Sequence, residues 1–299
     1  MAASEETTSL VSVVIATYNM AKHLPSAIGS VLNQTYANLE VIVVDDGSTD
    51  STQSVLKPFL LDRRVRCLYQ DNKGQAFAKN MGVNASRGDY VAFLDADDMW
   101  VPEKLDLQLP LFSESGNIGV VYSRHVPMNE NDEVCESVEH RLYRGYITEP
   151  LFVENFVPFG TAVVRKECFK ALGGFREDIR MGIDYDLWLR FSTQFMFDYV
   201  DRPLLKYRVW SGQMSNNSRG RHINAIDIMK KFLDAHPGRV RERVQKEAWA
   251  HTYVRFGRSL WEEERCIVPS VSLFLRALSC KPTYLPAWKS MGRVLLGLR

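Results

Sequence analysis

The chain has 299 residues, 45% of them hydrophobic and 24% charged, the proportions of an ordinary globular protein long enough to bury a full core as one large domain or two modest ones. Length and composition exclude disulfide miniproteins, collagen and disordered tails, and the near balance of 37 Lys and Arg against 36 Asp and Glu speaks against a strongly basic nucleic-acid binder. The balance is a cancellation, with net charge −8 through Ser218 and +9 from Arg219 onward.

Five cysteines, Cys67, Cys135, Cys168, Cys266 and Cys280, lie far apart without the paired spacing of a zinc or dithiol site, a pattern that fits a reducing compartment. The start, Met-Ala-Ala-Ser-Glu-Glu, lacks the apolar run of about 7 to 15 residues that a secretory signal needs. No stretch reaches the roughly 18 apolar residues of a membrane span. These features predict a cytoplasmic location.

In chain order, Val11 to Ala16 reads as a buried strand, and Ala21 to Gln34 as a helix with Leu24, Ile28, Val31 and Leu32 at helical spacing. Leu39 to Val44 is the next strand, followed by a helix to about Leu61 that Ser48 or Thr49 can cap. Val65 to Tyr69 and Asp89 to Leu94 are further strands, separated by a helix over Gly74 to Ala85. Beyond Trp100 come a helix near Pro102 to Phe112, a strand near Ile118 to Tyr122, a polar surface excursion to Glu149, a strand near Gly160 to Val164 and a helix over Asp184 to Phe191. From Arg219 the chain reads as helices divided at Pro237-Gly238 and Pro282. Strand, helix, strand at this rhythm predicts an α/β fold with a mostly parallel sheet, and ligands then bind outside the carboxyl ends of its strands.

Polar residues collect at that edge. Asp95-Ala96-Asp97 sets two carboxylates at i and i+2 where a strand ends, which suits a hard divalent cation that shares its remaining positions with phosphate oxygens. Asp98 beside them can cap the following helix. Asp45-Asp46-Gly47-Ser48 offers acceptors for a base N–H or a ribose hydroxyl next to a glycine that admits close backbone approach. It lacks the glycine and glutamate of an EF-hand loop, and no Gly-x-Gly-x-x-Gly follows the first strand. Asp184-Tyr185-Asp186 at a helix head either compensates the helix dipole or aims a general base into a cleft.

Several motifs in one order carry a resemblance to family 2 glycosyltransferases of the GT-A fold over about the first 215 residues. They are Val13 to Asn19, Val43 to Asp50, Gly74 to Asn80, Phe93 to Asp98, Gly173-Gly174-Phe175 and Asp184 to Arg190. The resemblance implies a catalytic region over 1–218, with a nucleotide-sugar half over about 9–100 and an acceptor half over about 101–218, followed by a basic helical region at 219–299. It implies that Thr17, Tyr18 and Asn19 line the nucleobase pocket, that Asp46 reads the base, and that Gly74, Lys79, Asp95 and Ala96 contribute to nucleotide-sugar binding, Asp95 through the ribose. Asp97 would hold Mn2+ or Mg2+ on the diphosphate, and Asp184 would be the catalytic base. Lys79 stands where the family usually has arginine, so the bidentate fork is lost. Ile183 stands where glutamate often precedes the base, and Trp210 where many relatives have histidine. Trp210 is then expected to stack on a sugar or base or simply to pack, with Gln213 and Ser215 near the diphosphate.

The implied activity is inverting transfer of a sugar from a nucleoside-diphosphate donor, UDP-linked, to a hydroxyl of a glycan or lipid-linked saccharide, as in polysaccharide biosynthesis. Two other classes fit parts of the pattern: a nucleotide-sugar-binding protein without turnover, and a nucleotidyltransferase. The basic region 219–299 is either a packed lid or a contact to an anionic membrane, where a lipid-linked acceptor would be met at the inner face.

Overall fold

The computed structural model describes residues 9–136 and 141–298. The chain forms two compact units: Met1–Tyr146, Phe156–Arg180 and Gln194–Trp210 make the first, and Ile147–Asn155, Met181–Thr193 and Ser211–Arg299 the second.

The elements, in chain order, are β1 (Val11–Thr17), α1 (Leu24–Leu32), β2 (Leu39–Asp45), α2 (Thr52–Leu56), β3 (Val65–Tyr69), α3 (Gln75–Ala85), β4 (Tyr90–Phe93), β5 (Met99–Trp100), α4 (Lys104–Gln108), β6 (Ile118–Met128), α5 (Thr148–Val153), β7 (Val163–Arg165), α6 (Lys166–Leu172), α7 (Ile183–Phe191), β8 (Met196–Arg208), α8 (Ser218–Ala235), α9 (Glu242–Glu264), α10 (Ile267–Cys280) and α11 (Leu285–Leu295). All the strands lie in the first unit, in one sheet ordered β3-β2-β1-β4-β7-β6-β8-β5.

β1 and β2 are nearly continuous β-branched runs because helices cover both faces of a parallel sheet. The first four strands pair in parallel, with Val11 opposite both Leu39 and Tyr90, and Val41 opposite Val65. α1 buries Leu24, Ala27, Ile28 and Val31 on one stripe. α3 approaches β1 so closely that a Cβ on Gly82 would stand 2.3 Å from Val14 Cγ1.

The second half of the sheet is mixed, with β7 antiparallel to both β4 and β6, and β5 antiparallel to β8. β8 has no counterpart among the expected strands. Its acidic positions and Pro203 break the period-2 signal, and a register shift opposite Arg124 accommodates the proline. β6 likewise runs past Tyr122 to Met128, so the polar excursion begins later than expected; part of it, 137–140, lies outside the described residues. Pro58 and Pro110 cut the expected helices after β2 and after Trp100 into short α segments, each followed by a 3-10 turn.

Two capping expectations are corrected. α2 begins at Thr52, whose backbone N–H and hydroxyl both donate to Asp50 Oδ1, while the Ser48 hydroxyl accepts from Asn19 N. α4 begins at Lys104, too far along the chain for Asp98, which is fully buried elsewhere.

The second unit is helical. α9, α10 and α11 share a core of Val254, Trp261, Phe274, Leu278 and Val294. α5 joins through Phe152, whose ring meets Phe232 at 5.9 Å and Trp249 at 6.5 Å. Glu149 and Glu154, at the two ends of α5, receive Arg241 and Arg255, so part of the C-terminal positive charge is met there. Among the described residues no helix is long and apolar enough to cross a membrane.

At the amino ends of the parallel strands Glu40 is buried among donors. Ser12 Oγ reaches Oε1 at 2.6 Å, Arg87 N reaches it at 2.7 Å, and the Arg87 and Arg66 guanidiniums reach Oε2 at 2.9 and 3.3 Å. Burial alone would raise this carboxyl, but the Ser12 and Arg87 hydrogen bonds and the charge of Arg66 hold it below its ordinary value of 4.5. A depressed folded value stabilises the protein above pH 4.5, and that contribution fades as pH falls through the folded value. Glu40→Ala should therefore cost about 3 kcal/mol in urea unfolding at pH 7, with the gap to wild type narrowing as the pH is lowered below 4.

Candidate active site

The carboxyl ends of β1, β2 and β4 and the loop after β3 form one network. Asp46 N donates to Thr17 O at 2.9 Å, which ties the end of β1 to the turn after β2. The buried Asp46 carboxylate collects Gln70 Nε2 at 2.6 Å, Lys73 N at 2.9 Å and Gly74 N at 2.8 Å. Its oxygens thus fix the 70–74 loop, and any contact to a base uses the lone pairs left over. Gly47, at φ +77°, passes this loop where a Cβ would meet Asn72 N at 2.8 Å. Asn19 Oδ1 accepts from Thr49 N and Asp50 N. Tyr18 is 45% exposed beside these groups. Thr17 Oγ1 and Asp45 Oδ2, neighbours in the β1–β2 register, are buried without hydrogen-bond partners, a cost that a polar ligand at this edge would relieve.

Lys79 rises from α3, buried, with its ammonium 3.0 Å from Asp95 Oδ1, 3.2 Å from Gln75 Oε1 and 3.9 Å from the Phe159 ring centroid. Asn80 on the next position clamps Phe175, donating to its carbonyl and accepting from its N–H, and Gly174 leaves room for that amide. Ala96 is buried between the two carboxylates of the motif. Asp97 Oδ2 accepts the Trp210 indole N–H at 2.9 Å, and the indole lies tilted against His23 at 5.6 Å. Burial and the Arg208 charge hold His23 below its ordinary value. Asp98 accepts Arg208 N at 2.9 Å, while the Arg208 guanidinium, itself buried, donates to Asp97 O and pairs with Asp132.

Among the described residues no three His, Cys, Asp or Glu side chains gather into a metal cage. The donors present still fit a hard divalent ion that takes most of its shell from a ligand. Asp97 supplies carboxylate oxygen, with Asp95 two positions before it, and burial first, then the charges of these two, pushes the neighbouring Asp98 carboxyl well above its ordinary value.

In the second unit, Gly182 at φ +75° opens α7. Asp184 sits in its first turn, and Asn155 Nδ2 donates to its Oδ2 at 2.8 Å. Asp186, two positions on, is buried against Arg190 at 2.9 Å, and the Tyr185 hydroxyl donates to Phe152 O at 2.9 Å. The turn therefore separates two roles, with Asp186 locked in an i,i+4 pair and Asp184 placed on the wall of a cavity. Gln213 and Ser215 lie in this unit, just before and within the 3-10 turn Met214–Asn216.

Sequence reasoning missed Arg208, His23, Gln70 and Asn155. Arg208 and Trp210 come from the end of the unexpected strand β8 and the residues just after it, and nothing local marks Asn155 as the partner of a residue 29 positions away.

A sheet of this order, with its polar edge at the carboxyl ends and a carboxylate pair after β4, defines a GT-A glycosyltransferase fold. The family model described as Glycosyl transferase family 2 matches residues 12–173, and the chain belongs to that family. An uncharacterized glycosyltransferase of Rickettsia bellii is 33% identical over 199 residues, covering 67% of this chain and 29% of that protein. Chondroitin synthase of Escherichia coli is 32% identical over 225 residues, covering 74% and 31%. The chain thus spans about a third of the length of these two relatives. Among solved structures, S. aureus TarS 1–349 in complex with UDP-GlcNAc matches with TM-score 0.62 at 15% identity, covering 96% of this chain and 92% of that one. The mannosyltransferase PcManGT from Pyrobaculum calidifontis, in complex with GDP-Man and Mn2+, matches with TM-score 0.65 at 17% identity, covering 96% and 84%. Both similarities speak for the fold.

Because Asp98 is raised in the folded state, it contributes stability below its ordinary value of 3.8, and this is lost as pH rises through the folded value. Asp98→Asn keeps an acceptor for Arg208 N and stays neutral. It should unfold like wild type near pH 3.5 and be more stable by about 1 kcal/mol or more at pH 7, read by urea melts at both pH values.

Proposed function

We propose that this family 2 glycosyltransferase moves a sugar from a UDP-linked donor to an acceptor hydroxyl of a glycan or lipid-linked saccharide, with inversion, in a single metal-assisted displacement. The observation that carries the donor half is the set of anchored carboxylates at one sheet edge: Asp46 on the 70–74 loop, Asp95 on Lys79 and Asp97 on Trp210. Similarity to structures holding UDP-GlcNAc, or GDP-Man with Mn2+, supports a nucleotide-sugar donor and a divalent ion.

In this reading Thr17, Tyr18 and Asn19 border the base, Asp46 orders the loop beside it, and Asp95 takes the ribose while Lys79 keeps that carboxylate in place. Gly74 and Ala96 admit the nucleotide backbone, and Gln213 and Ser215 serve the diphosphate. Asp97 would hold Mn2+ or Mg2+, which when bound offsets charge on the departing diphosphate. Trp210 cannot ligate, since an indole only donates, and its part is to orient Asp97. The acceptor hydroxyl is a weak nucleophile, so Asp184 takes its proton as it attacks the anomeric carbon from the face opposite the leaving group. Asn155 fixes Asp184 Oδ2 during that transfer.

With labelled UDP-sugars, Asp184→Asn should lower kcat by about 10³-fold while leaving the donor Kd within a factor of about two. Asp97→Ala should abolish the metal dependence of both donor binding and turnover. The product must be a nucleoside diphosphate, since pyrophosphate would indicate a nucleotidyltransferase, and the new linkage, read by NMR, must be of opposite anomeric configuration to the donor. Tight donor binding without even slow hydrolysis would point instead to a non-catalytic binder.

Residues 219–299 also carry a surface suited to an anionic membrane. Leu285, Trp288, Leu295 and Leu296 are each more than half exposed, on or beside an α11 that also carries Lys289 and Arg293. Vesicles containing anionic lipid should therefore float the protein where neutral vesicles do not, and equal flotation with both would remove the membrane from this proposal.

A further inference from the structure

The cavity of about 280 Å³ that Asp184 borders is built within the second unit, from the end of α5, the start of α7, and α8 and α9. Its charge is uneven. Arg255 is neutralised by Glu154 at 2.7 Å. Arg221, in the first turn of α8, makes no side-chain hydrogen bond or ion pair among the described residues. Next to Arg221 in the chain, His222 is stacked on Phe256 at 5.2 Å and pushed down to about 4 by burial and then by the charges of Arg255 and Arg221. His251 adds a second ring: its Nδ1 meets the Tyr284 hydroxyl at 3.1 Å, while its Nε2 is buried with no partner at all.

An unpaired guanidinium fork and a buried ring nitrogen without a partner, on the wall of one cavity, meet the requirements of a carboxylate or phosphate oxygen. A neutral sugar hydroxyl would leave the Arg221 charge unmatched. We propose that this cavity is the acceptor site and that it selects saccharides bearing an anionic group, which Arg221 and His251 hold so that a neighbouring hydroxyl is presented to Asp184. The inference rests on the glycosyltransferase reading for the word acceptor, but the anion preference can be tested on its own.

Binding of three probes should be compared by NMR titration on the full chain: a glucuronic-acid-terminated disaccharide, a hexose 6-phosphate and the neutral methyl glucoside. At least one anionic probe should bind about tenfold or more tightly than the neutral one and raise the His222 pKa as its charge answers the two arginines. Arg221→Gln and Arg221→Glu, changes at an exposed side chain, should remove that preference while leaving UDP-sugar affinity unchanged. The two anionic probes distinguish a uronic acid from a sugar phosphate as the source. Equal binding of all three probes, an unchanged preference in both variants, or an equal loss of UDP-sugar affinity would overturn the proposal. Failure of the wild-type protein to bind or hydrolyse any nucleotide sugar would instead sink the glycosyltransferase reading, whatever the anion result.

Discussion

Three carboxylates within four residues, at the end of one buried strand, repel one another, and much of the first unit is arranged to meet them. Asp95 has the ammonium of Lys79, Asp97 the indole N–H of Trp210, and Asp98 the backbone N–H of Arg208, whose guanidinium also secures the Asp97 carbonyl. These partners come from α3 and from β8 and its end, so the last strand laid into the sheet completes the turn after the fourth. For Asp98, which is buried, the loss of its partner would be costly.

The sheet accordingly has two chemically different edges. At the amino ends, Glu40 is surrounded by Ser12, Arg66 and Arg87, and its charge is fully answered from within the protein. At the carboxyl ends the answer is incomplete: Thr17 Oγ1 and Asp45 Oδ2 are buried without partners, and burial first, then the charges of Asp97 and Asp95, pushes the Asp98 carboxyl well above its ordinary value. One edge holds the structure together, and the other is left able to take a ligand.

The strands of the first hundred residues were legible because a parallel sheet covered on both faces demands continuous β-branched runs, and Val11 to Ala16 and Leu39 to Val44 supply them. β8 was not, since Asp198, Asp201, Arg202 and Pro203 break the pattern that marks a strand, and only pairing with β6 over ten positions makes it one. At the candidate site, motifs singled out Asp97 and Asp184 as candidates, but their neighbours could not be read. Asp98 looked like a cap because caps are local, whereas its real partner is 110 residues away. Nothing in the sequence singles out Arg221, His222 and His251, because which helix faces meet is decided by tertiary packing.

The interleaving of the two units has a consequence for how the protein is made. The chain passes between them five times, so α5 and α7 leave the ribosome well before α8 and α9, which complete their surroundings. Phe152, fully buried in the finished molecule, has the rings of Phe232 and Trp249 as its neighbours, and both are translated some eighty or more positions later. During synthesis this aromatic side chain lacks its final cover, and the segment bearing Asp184 reaches its finished setting only when the C-terminal helices arrive. Maturation of the proposed catalytic turn is in this way tied to synthesis of the chain through α9, and a chain released before it would carry the sheet and its carboxylates without a finished wall around Asp184.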